Sequence, residues 1–298
     1  MDGARTDALG VFKRRAFRDM LIFVTLKTRR RAYWILFGIS LALSLVGAVF
    51  AILLATRKSV PIFLIERGIY AVHPFLKLRP TSLALSIADA LALSFFAAAA
   101  GGLILRTFRK TVSAEIFFFA LWLATLSFES LRLVHLFLAV RGASDFALAL
   151  IDKFYLCAKI LGYIVIFVSG LYASGMRNER HFSILAICAG IAIALVSSLP
   201  INTGIWERTL MYKVGYGRLI EGFTMAIIVI TIVDYLIAAR VRGDKSYYLI
   251  ALGIAAVMWG AHFASLDWSP LLSLVSLIVM SAGCVLYIWK LHTFYLWQ

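Results

Sequence analysis

The chain has 298 residues, 62% of them hydrophobic and 15% charged, with a formal net charge of +15 and a mean hydropathy of +0.92. A soluble domain of this length cannot hide that much apolar surface, so the composition excludes a water-soluble globular fold and points to the membrane. Cys157, Cys188 and Cys284 lie inside apolar stretches without a CxxC pair, which argues against a disulfide framework or a thiolate zinc site.

The N-terminal stretch is basic. Phe12, Ala16, Met20 and Val24 recur every four residues beside Phe17 and Leu21, while Lys13, Arg14, Arg15 and Arg18 fill much of the remaining surface. This is the pattern of an amphipathic helix lying on anionic lipid, with docking to an acidic partner protein as the alternative. Residues 1–32 are therefore expected to form a cytoplasmic segment without a cleavable signal, and residues 33–298 a single transmembrane domain.

Apolar runs of about 18–25 residues, the length needed to cross a bilayer, occur at 33–56, 81–105, 112–140, 147–172, 183–200, 218–239, 247–264 and 270–290. They predict an all-α polytopic transmembrane helix bundle of about eight spans, one leading helix plus a seven-helix bundle. Arg and Lys concentrate before the first span, after the second (Arg106, Arg109, Lys110) and after the sixth (Arg240, Arg242, Lys245). The positive-inside rule then puts both termini in the cytoplasm, in a plasma or bacterial inner membrane. The surplus positive charge reports topology and anionic lipid, not nucleic acid.

Small-residue stripes on three spans (Ala97 with Gly101; Ala186, Gly190 and Ala194; Ala256 with Gly260) are expected to pack within the bundle. Lys213-Val214-Gly215-Tyr216-Gly217 reads as a glycine turn before the sixth span. A pore filter is disfavoured there, because Lys213 would place a cation at the ion site. Trp289, Tyr295 and Trp297 suggest an interfacial aromatic belt at the last span.

The polar residues carry the functional signal. Glu129, Arg132 and His135 stand three apart inside the third apolar run, on one face of a helix. Asp152, Tyr155, Lys159 and Tyr163 make one stripe down the fourth. Asp89 on the second span, Glu221 opening the sixth and His262 near the end of the seventh fall at the same depth, in the outer half; Asp234 alone falls in the inner half. Charges inside a membrane are costly and mark functional sites by default. The expected site is an outward-facing polar cavity formed by Asp89, Glu129, Arg132, His135, Asp152, Tyr155, Lys159, Glu221 and His262, with Lys159 answering Glu129 and Asp152 answering Arg132. Buried ion pairs that only fix the packing are the rival explanation.

Three functions fit that arrangement. A ligand-binding or sensory module comes first; only eight residues follow the last span, so its signal would pass to a partner protein. A small-solute or ion-coupled transporter is the second. The third is a metal-dependent lipid hydrolase using His73, His135, His262, Asp89 and Asp267. No resident cofactor is expected in the first two.

Overall fold

The computed structural model describes residues 30–56, 81–108, 113–176, 181–207, 209–266 and 269–296. The basic stretch 1–29, together with His73, Asp267 and Trp297, lies outside the described residues. Helices α1 (Arg30–Ala55), α2 (Thr81–Thr107), α3 (Ala114–Leu126), α4 (Leu131–Val140), α5 (Asp145–Ala173), α6 (His181–Ser198), α7 (Gly217–Arg242), α8 (Ser246–Ala264) and α9 (Pro270–Leu296) follow in chain order. A 3-10 turn, Ser127–Ser130, joins α3 to α4, so those two helices run on as one third span, Ala114–Val140. Among the described residues, eight spans are long and apolar enough to cross a bilayer, and the molecule is a multi-pass helical membrane protein.

The third span is the axis. In its most apolar window 78% of residues are buried, against 22% for α1 and 17% for α6. Helix α3 packs on α2 and α5, α5 on α7, α7 on α8, α8 on α9, and α9 returns to α2. Helix α6 leans on α5 from outside this ring. Position in the bundle therefore explains why the third span alone carries several fully buried charges.

Helices α8 and α9 approach backbone to backbone. A Cβ on Gly260 would lie 2.7 Å from the Ser276 carbonyl oxygen, and one on Gly283 would lie 2.8 Å from that of Gly253. Ala256 and Gly260 thus serve intramolecular packing, as small residues do where lipid offers little drive for association. The stripe Ala186, Gly190 and Ala194 does not. All three residues are exposed, on the face of α6 turned away from the bundle, which corrects the expectation that they pack within it.

Between α6 and α7 the chain forms an antiparallel hairpin, β1 (Ile201–Trp206) with β2 (Tyr212–Val214), whose register slips between Asn202 and Trp206. It folds back over the ends of α1, α2, α4 and α5. Trp206, Leu210 and Tyr212 are buried there among Leu133, Leu136, Leu148 and Leu54. Leu210 holds a left-handed backbone (φ 63°) with its side chain fully buried, a cost of about 1–2 kcal/mol that the burial of a leucine, about 1.5–3 kcal/mol, offsets. The hairpin defines one face of the molecule.

Candidate functional site

Glu129, Arg132 and His135 of the third span lie directly beneath the hairpin. Arg132 is 0% exposed. Its Nη1 donates to Glu129 Oε2 at 3.3 Å, and its Nε donates to the carbonyl of Thr209 in the hairpin at 2.7 Å. Glu129 sits in the 3-10 turn, where the tighter winding interrupts the regular α-helical span. The Tyr155 hydroxyl on α5 donates to both Glu129 oxygens at 3.1 and 3.2 Å.

His135 faces the same loop. Its Nδ1 lies 3.0 Å from the Leu210 carbonyl oxygen, which can only accept, so Nδ1 carries the hydrogen. Nε2 then stands 3.2 Å from Asp152 Oδ1, without the alignment of a hydrogen bond. Two lone pairs would repel at that distance, so the contact calls for one extra proton on either partner. Asp152 Oδ2 accepts from the backbone N–H of Tyr212 at 3.0 Å, and the Tyr212 hydroxyl donates to Asp145 at 3.0 Å. The His135 ring meets those of Trp206 and Tyr212 at 4.9 and 5.0 Å. Three successive stations on one short loop thus bond three intramembrane charges.

Lys159 closes the cluster on its deeper side. It is half-buried, donating to the Tyr155 hydroxyl at 3.4 Å and to Ser265 Oγ at 3.5 Å, with its ammonium 5.6 Å from the Tyr155 ring centroid. Ser265 donates in turn to the His262 carbonyl at 2.8 Å. His262 is 4% exposed, and neither of its ring nitrogens has a hydrogen-bond partner. Between Glu129, Tyr155, Lys159, Tyr163 and Ser265 lies a cavity of about 30 Å³, enough for a water or two. In the hairpin turn, desolvation against the bundle raises the Glu207 carboxyl above its ordinary range, and the Lys159 and Lys213 ammonium groups oppose that rise.

These contacts revise the expected pairings. Glu129 takes Arg132 from its own span, and Lys159 reaches it only through the Tyr155 phenol. Asp152 takes His135 and the hairpin backbone. The mouth expected to be open is covered by Trp206, Thr209, Leu210 and Tyr212. Asp89 is buried but donated to by Ser273 of α9 at 2.7 Å, to one side of the cluster. Glu221 is exposed one turn into α7, outside it.

Comparison with protein-family models, with curated proteins and with solved structures found no match. The site therefore rests on its own chemistry. Among the described residues no three His, Cys, Asp or Glu side chains stand where they could share a metal ion. Of the set considered for zinc, His135, His262 and Asp89 do not form such a group, and His73 and Asp267 lie outside the described residues.

A second polar centre, which sequence reasoning missed, occupies the opposite end of the third span. Glu115 is 2% exposed. It accepts from Arg242 Nη2 at 2.7 Å, from the Tyr247 hydroxyl at 2.9 Å and from the Tyr295 hydroxyl at 3.1 Å. Ser169 donates to the Glu115 carbonyl at 2.9 Å and continues through Tyr235 to Tyr287. Tyr295 is thus committed to an internal carboxylate and does not belong to an aromatic belt, whereas Trp289 is exposed under Lys290 as a belt residue would be. Helices α3, α7, α8 and α9 are tied together there. Fourteen residues, about 21 Å of helix, separate Glu115 from Glu129.

Proposed function

We propose that this protein is a membrane ligand-binding or sensory module, oriented with the hairpin face outward and signalling through a partner protein. The observation that carries the reading is the source of the cluster's bonds. Arg132, His135 and Asp152 are served by backbone groups of one loop, and a loop is the kind of element that a ligand can displace. A ligand oxygen that took the place of the Thr209 carbonyl on Arg132 would release the hairpin, and an anionic oxygen would bind the guanidinium more strongly than a neutral carbonyl does. His262, buried without a partner, and the thinly bonded Lys159 offer further donors deeper in the site. The ligand class is accordingly a small molecule bearing a carboxylate or a similar oxygen anion.

The test is hydrogen exchange of residues 201–214 in the purified protein, with and without short aliphatic carboxylic acids from acetate to adipate. At least one acid is expected to speed exchange in the hairpin, and Arg132→Gln is expected to abolish the response. Exchange that none of the acids alters would sink this ligand class.

A transporter is the second reading, favoured by one observation: the third span winds into a 3-10 turn at Glu129, and a mid-helix 3-10 stretch often marks a functional hinge. Reconstituted vesicles separate the two. Uptake of an acid that moves the hairpin would replace the sensory reading with transport.

A further inference from the structure

A different part of the molecule, on the face opposite the hairpin, holds a groove of about 840 Å³ between α1 and α2. The two helices are pinned near their middles, where the Ser44 hydroxyl donates to the Ser94 carbonyl at 2.7 Å. Between there and the opposite face, the Phe37 ring of α1 lies 3.3 Å from a Cβ built on Gly102 of α2. The groove is lined by Tyr33, Phe37, Leu41 and Phe95 and floored by small residues such as Ala98 and Ala99. Arg30 and Arg106 stand at its open end, both exposed, beside the exposed indole of Trp34.

The dimensions are those of one leaflet. From Arg30 to Leu41 on α1, and from Arg106 back to Phe95 on α2, the groove runs eleven residues, or about 17 Å. That is close to half of a hydrocarbon core about 30 Å thick. Its apolar length therefore lies at acyl-chain depth and its two guanidinium groups at headgroup level, where tryptophan is also enriched. Arginine pairs bidentately with phosphate, and basic pockets between spans recognise anionic headgroups.

We infer that the α1–α2 groove is a binding site for one anionic phospholipid, with an acyl chain along Phe37, Leu41 and Phe95 and the phosphate held between Arg30 and Arg106. This site is separate from the hairpin cluster and does not depend on the function proposed for it. Arg30 belongs to the basic stretch 1–32 expected to meet anionic lipid, whereas the rest of the lining, from Tyr33 on, belongs to the spans α1 and α2 and to the residue that follows α2.

The experiment reads retained lipid by native mass spectrometry. The full-length protein is reconstituted into phosphatidylcholine vesicles with or without phosphatidylglycerol, then extracted into detergent. A single phosphatidylglycerol adduct is expected to survive extraction in preference to phosphatidylcholine. Arg30→Gln and Arg106→Gln should each lower its retention about fivefold, in line with about 1 kcal/mol for each basic residue near a headgroup. Ala99→Trp, at an exposed groove position, should remove the adduct by filling the chain's place, and Leu103→Trp serves as a second block if the first variant fails to elute as a folded species. Equal retention of both lipids, an adduct that survives the folded tryptophan variants, no retained lipid, or a polypeptide bound in its stead would each overturn the proposal.

Discussion

Arg132 and Lys159 are both cations at membrane depth, yet the structure gives them unequal weight. Arg132 is wholly buried between a carboxylate and a hairpin carbonyl, so its removal leaves Glu129 charged and short of a partner. Breaking a buried pair in this way costs about 3–5 kcal/mol, and Arg132→Met is expected to lower the thermal unfolding midpoint in detergent accordingly. Glu129→Gln added to it should recover part of the loss, the non-additivity that marks a true pair. Lys159 is half-buried and makes only long contacts of 3.4 and 3.5 Å. Lys159→Met should therefore cost no more than about 1 kcal/mol, and a loss as large as that of Arg132→Met would show that the Tyr155 relay to Glu129 is stronger than its lengths indicate. At the far end, Tyr247→Phe removes a donor from buried Glu115 and is expected to destabilise by about 1.5–3 kcal/mol, the range for hydrogen bonds to charged groups.

At the scale of elements, the hairpin and the α8–α9 pair can be probed separately. Leu210 anchors the hairpin from a fully buried position. Leu210→Ala keeps the backbone bonds but empties that position, at a cost of about 2–5 kcal/mol. Faster hydrogen exchange should then appear in residues 201–214 and not in α3 or α5. Gly260→Leu acts elsewhere, because its side chain would meet the backbone at Ser276 and the Cβ of Met280, both 2.7 Å from the ideal Cβ. Overpacking of this kind costs about 1–3 kcal/mol or more, read as a lower unfolding midpoint with loss of α8–α9 protection. The spans themselves were legible because hydropathy over some twenty residues reports directly on bilayer thickness. The hairpin was not, since residues 201–214 are too short for a span and mix Asn202 and Lys213 with Ile201 and Ile205. The one available signal was Trp206, Leu210 and Tyr212 gathered in a connecting loop. The 3-10 turn was equally hidden, although Ser127 and Ser130 flanking Glu129 form an unusually polar interruption of an apolar run.

Viewed whole, the molecule has two polar centres at opposite ends of one central span, with Phe118, Phe119, Trp122 and Leu123 packed between them. The first was visible as a face of charges on adjacent spans. The second was not: Glu115 sits just inside an apolar run, Arg242 and Tyr247 at the edges of two others, and each looks like an ordinary flanking residue until the fold joins positions more than a hundred residues apart. The sensory reading makes a prediction at this scale. Sealed proteoliposomes are expected to show no accumulation of the acid that releases the hairpin, since a continuous path would require both centres and the aromatic layer to open.

The central span also constrains how the protein is made. Glu115, Glu129, Arg132 and His135 ride on one helix, and an isolated charge near the bilayer centre costs about 2.5–3.5 kcal/mol to insert. Glu129 and Arg132 pair within the span, but their remaining partners, and all the side-chain partners of Glu115, are contributed by α5, by the hairpin and by the last three spans, which are synthesised later. A nascent chain ending soon after Val140 therefore carries buried polar groups whose partners have not yet been made. The partners from α5 and the hairpin lower that cost once they are made, so the order of translation bears on the assembly of this site.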